Sequence, residues 1–126
     1  MFETVIVMSL LLMFSFGVVE YGYAFYIKKA IQESAYSGAR AAICAGSTNS
    51  SVQSAIAISL QSVGLNSSLY TVTTTPATIT GTTAGTSITV SVSCNWGTVG
   101  VTPLPVSMGG IPNSKNLTCS VTMLHE

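Results

Sequence analysis

Residues 4–19 read TVIVMSLLLMFSFGVV, sixteen positions without a charge, and residues 20–27 add only Glu20 before Lys28 and Lys29 end the apolar run. As a helix rising ~1.5 Å per residue, residues 4–27 are roughly 36 Å long, enough to cross a hydrocarbon core of about 30 Å. A signal-peptide core is shorter, about 7–15 residues, and follows basic residues that do not precede this run. The expectation is a membrane-spanning helix.

Residues 30–43, AIQESAYSGARAAI, are rich in helix formers and free of proline, so the same helix should continue until Gly46 stops it, as one rod of about forty residues. Ser9, Ser15, Gly17, Gly22 and Ala24 break up the large side chains of its apolar half, and small residues let helices approach closely in lipid. Further on, Ala30, Ser34, Ser37, Gly38, Ala41, Ala42 and Ala45 recur at helical spacing, with Ile31, Tyr36 and Ile43 available to cover a globular part. Tyr21, Tyr23, Phe25, Tyr26 and Tyr36 make an aromatic zone of the kind found at membrane interfaces.

After Gly46 the turn cluster Ser47-Thr48-Asn49-Ser50 can cap a second helix over about 50–63, whose stripe is Val52, Ala55, Ile56, Leu60 and Val63. The pattern then changes to alternation: residues 68–75, 86–96 and 117–125 read as strands, with Pro76, Gly81 and Gly85 marking turns. Ile88, Val90, Val92, Cys94 and Trp96 share one face of the second strand, and Leu117, Cys119, Val121 and Met123 share one face of the third. The segment 97–116, with three prolines and four glycines, is too long for a tight hairpin and too apolar for plain disorder. It should pack on a neighbour or cover the end of its own sheet.

The fold class expected is thus α+β: a long N-terminal helix over 1–46, then a small globular domain over 47–126 with a short helix and an antiparallel sheet. With 6% charged residues and a net charge of zero, the electrostatic footprint of a nucleic-acid binder is missing. No Cys/His spacing suits a metal and no cofactor motif is present. No second acid, histidine or nucleophile accompanies Glu20, which argues against an enzyme. The lone histidine, His125, reads as a solvated end residue.

Three cysteines, Cys44, Cys94 and Cys119, allow one disulfide. A Cys94–Cys119 bridge across the closing strands places them directly opposite and pairs Val92 with Val121, Val90 with Met123 and Ile88 with His125, all on the apolar faces. Cys44 would then be a small buried hydrophobe, although a bridge from Cys44 to either strand stays open. Asn49, Asn66 and Asn116 fit the N-glycosylation pattern, a weak signal, and the threonines of 71–89 would suit either O-glycans or exposed strands.

The Phe-Gly-x-x-Glu-Tyr-Gly stretch at 16–22, the Ser-Gly-Ala-Arg stretch at 37–40 and the closing strands SITVSVSCNW and LTCSVTMLHE resemble the TadE-like pilins and pseudopilins of tight-adherence (type IVc) pili, with Ser9 where that family often has proline. The resemblance implies a structural subunit that waits in the cytoplasmic membrane, meets a prepilin peptidase and the pilus assembly machinery, and polymerises with identical subunits into an extracellular filament. It implies that Glu3, a carboxylate that could otherwise simply snorkel to the interface, neutralises the N-terminal amine of an adjacent subunit. Glu20, a charge costly within lipid, reads from its position in the apolar run as lying at the membrane border or in a subunit contact. A minor pseudopilin at a pilus tip or base, and a membrane-anchored adhesin or binding module, are the alternatives.

Overall fold

The computed structural model describes residues 1–100 and 105–126; the part of the glycine- and proline-rich segment at 101–104 lies outside them. Helix α1 runs unbroken over Phe2–Ile43, 42 residues, as its lack of proline requires. Its end is fastened by Ser47, whose hydroxyl donates to the Ala42 carbonyl at 2.7 Å. Helix α2 spans Asn49–Gln61 and opens on a capping box, in which the Thr48 hydroxyl accepts from the Ser51 N–H while Ser51 receives the Thr48 N–H. It closes where Gly64 turns to φ +84°, with Leu65 N–H returning to Leu60 and Gly64 N–H to Gln61.

Strands β1 (Tyr70–Thr75), β2 (Ser87–Asn95) and β3 (Asn116–Leu124) form one antiparallel sheet in the order β1-β2-β3. A one-turn helix α3, Trp96–Val99, follows β2 directly. Both long helices lie on the apolar face of the sheet. Ile27, Ile31, Ala35, Ala39 and Ala42 make the stripe of α1 that meets Val52, Ile56 and Leu60 of α2 and Ile88, Val90 and Val92 of β2. Of the small residues expected to form a face, Ala45 is exposed, whereas Ala30, Ser34, Gly38 and Ala42 are buried against the globular core. Gly38 shows why: a Cβ there would lie 2.7 Å from the Ile56 side chain. Tyr36 does not cover this core as expected; it is half exposed, with the Arg40 guanidinium 5.8 Å from its ring centre.

The other face of the sheet is polar. Thr89 pairs with Thr122, and Ser91 with Ser120, through hydroxyl contacts of 2.8 Å, and Asn95 donates to Asn116. This pairing corrects the register expected from the cysteines. Cys94 stands opposite Leu117 and Cys119 opposite Val92, while Val90 meets Val121 and Ile88 meets Met123. The slip is two residues, so every side chain keeps its face while the partners change. All three cysteines are free thiols, and no disulfide links Cys94 to Cys119.

Two smaller expectations also change. Cys44 is exposed, its Sγ near the Arg40 carbonyl, rather than buried. His125 is held between strand ends, exchanging main-chain bonds with Gly85 and Thr86, rather than free in solvent. Burial pushes the Cys94 thiol above its ordinary pKa, which lowers its thiolate fraction at neutral pH. Brief alkylation of the native chain should therefore label Cys44 first and Cys94 last; mass spectrometry of the peptides checks the order, and equal rates would contradict it.

Candidate functional site: the helix and loop contact at Glu20

The first half of α1 has nothing of its own chain around most of it. Residues 2–16 are exposed, Phe2, Leu10 and Phe14 among them, and the apolar window of the helix is not buried at all by the rest of the chain. By length and hydropathy α1 can cross a membrane. Ser9 and Ser15 would not be left unpartnered there, since each donates to the carbonyl four residues back, Val5 and Leu11, at 2.9 and 2.8 Å.

Glu20 is the exception on this stretch: it is fully buried. The segment that begins at Pro105 lies beside α1 and delivers the Ile111 N–H to Glu20 Oε1 at 2.6 Å. One residue on, the Tyr21 hydroxyl donates to the Gly109 carbonyl at 2.8 Å. Just before these contacts the loop turns through the short 3₁₀ segment Val106–Met108 and then Gly109 at φ +93°, a backbone conformation that favours glycine. Above them Trp96, wholly buried, lies with its ring centre 6.0 Å from that of Tyr23, which in turn lies 6.1 Å from Tyr26. Part of the sequence stretch 16–22 is thus the landing place of the loop: Gly17 lines the groove beside it, and Glu20 and Tyr21 hold its main chain.

The interaction at Glu20 spans 91 residues of sequence, so local pattern gave no sign of it. Glu20→Ala should free the loop, with faster hydrogen exchange at Ile111 and a loss of about 1.5–3 kcal/mol, the range for a hydrogen bond to a charged group. Glu20→Gln keeps an acceptor oxygen and should cost less. Unchanged exchange at Ile111 in the alanine variant would contradict the anchor.

The other candidates are dispersed. Glu3 is exposed near the start of α1, far along the helix from Glu20. Asn49 is committed to the fold: its amide donates to the Ala77 carbonyl at 2.6 Å and its oxygen accepts the Ile79 N–H at 3.0 Å. Asn116 is exposed but engaged by Asn95, whereas the Asn66 side chain stands in the open. Among the described residues no group of three His, Cys, Asp or Glu side chains is placed to hold a metal.

No curated protein and no solved structure matches the chain. Residues 1–40, the part of α1 that carries Glu3, Glu20 and Tyr21, match the family model of the TadE-like proteins, the family that the sequence resembles.

Proposed function

We propose that this chain is a structural subunit of a tight-adherence pilus, held in the cytoplasmic membrane by the first half of α1 and then polymerised through that half into an extracellular filament. The observation that supports it is the division of one helix. Residues 2–19 leave an apolar surface uncovered, while the second half of the same helix is core to the globular domain. A surface of that size must be covered by lipid or by copies of itself. Repeated head-to-tail contact between such helices does not close, so it generates a filament rather than a ring.

In this reading Glu3 meets the terminal amine of a neighbouring subunit inside the filament core, whereas Glu20 serves its own chain. The polar face of the sheet and the threonines of 71–89 face outward, with Asn66 the most open of the three sequence candidates for a glycan. Prepilin peptidase and the assembly machinery are the partners expected. Electron microscopy of sheared surface material, with mass spectrometry of its subunit, tests the proposal. Filaments built chiefly of this chain support a major subunit, trace amounts a minor one at the tip or base, and complete absence opposes the filament role.

A further inference from the structure

We infer that the loop tip at 105–111 is a second membrane contact, seated at the lipid headgroup and acyl boundary beside the span. The inference rests on the reading of α1 as a membrane span. Met108 and Gly109 border the same groove, about 670 Å³, as Leu10, Phe14 and Val18, so the loop tip lies alongside the apolar half of α1 and not above it. If residues 2–19 are in lipid, the tip is carried to the lipid surface with them.

The tip suits that level in three respects. First, its sequence, PVSMGGI, is uncharged, and Val106 and Met108 are 58% and 55% exposed, an apolar surface continuous with that of the helix. Second, its backbone is largely satisfied from within the chain, which matters where water is scarce. Four successive N–H groups have acceptors: Met108 and Gly110 donate to Pro105, Gly109 to Val106, and Ile111 to Glu20. The Gly109 carbonyl has the Tyr21 hydroxyl. Third, Tyr21 and Tyr26 stand exposed at this level of the helix, where amphipathic rings favour the interface, and Lys28 and Lys29 follow about two turns beyond Glu20, within reach of lipid phosphates. Seated there, the loop also covers the Glu20 carboxylate, which would otherwise face acyl chains at the border of the span.

The test uses the full chain reconstituted in two sets of phosphatidylcholine vesicles, one brominated near the carbonyl end of the acyl chains and read for the loop tip, the other brominated deep in the chains and read for the span, so that lipid contact at either depth quenches tryptophan. Met108→Trp is compared with Leu12→Trp in the span and Thr73→Trp on the polar face of the sheet, with buried Trp96 as the common background; Val106→Trp repeats the measurement in case Met108→Trp disturbs the turn. The expected result is that the tryptophans at 106 and 108 lose about half of their emission, as for a group held ~5–10 Å into the boundary, while that at 73 is unaffected. Quenching at 12 alone overturns the loop contact and leaves the span standing. No quenching at 12 overturns both. Tip emission protected from brominated lipid and from aqueous iodide alike assigns the tip to a second copy and overturns the lipid contact.

Discussion

Replacing Trp96 with alanine is expected to lower the unfolding free energy by about 3–5 kcal/mol, the range for removing a large buried aromatic side chain. Trp96 joins three elements. Its main-chain N–H donates to the Lys115 carbonyl at 2.8 Å at the end of the sheet, its main-chain carbonyl accepts the Gly100 N–H at 2.7 Å, and its ring packs on Tyr23 of α1. Gly100 passes so close that a Cβ there would lie 2.4 Å from the indole. Alanine leaves a hole that the helix, the sheet end and the loop cannot jointly close. Trp96→Phe retains a ring against Tyr23, leaves a smaller cavity and drops an indole N–H that has no acceptor among the described residues, so its loss should be clearly smaller than that of alanine. Denaturant unfolding in detergent micelles, followed by circular dichroism, separates the two; equal losses would mean that Trp96 is not the joint.

The second large effect concerns assembly. Glu3→Ala is expected to leave membrane insertion intact, because insertion needs apolar length, and to abolish most filament formation. Removing one partner of a buried ion pair leaves the other charge uncompensated, at about 3–5 kcal/mol for each docking step. Glu3→Gln should behave similarly, since an amide cannot neutralise an amine. Immunoblots of membrane and sheared fractions measure both quantities. Normal filament yield from both variants would refute the role. Glu20→Gln is the contrast: it should loosen a loop within the subunit and reduce filament yield far less.

Much of this architecture was legible in the sequence because it rests on local periodicity. The apolar run and its proline-free continuation specify one helix, and alternation in 86–96 and 117–125 assigns each side chain to its face. What alternation does not specify is the partner, since a slip of two residues preserves every face. The pairing of Cys94 with Cys119 resolved that ambiguity wrongly. The polar face held a better signal: Thr89 with Thr122, Ser91 with Ser120 and Asn95 with Asn116 match like with like in the observed register. The small-residue stripe at 30–45 was recognised, but the role of its buried members as the seat of α2 and β2 depends on distant residues, and Ala45 is exposed. Glu20 likewise stood out as a charge at the border of an apolar run, yet its acceptor role requires a main-chain N–H supplied by a turn near the other end of the chain. Backbone donors carry no sequence signature.

The continuity of α1 has a mechanical consequence. Residues 2–19 and the core residues 27–42 belong to one hydrogen-bonded rod of 42 residues, with no hinge or linker between them. Tension applied to the apolar end therefore arrives undiluted at the side chains that hold the sheet. Such a subunit has no slack: it lengthens only by unwinding helical turns, or by tearing Ile31 and Ala35 away from their neighbours. A filament strung on rods of this kind would be stiff under small loads, and its extension under large ones would begin inside the subunit.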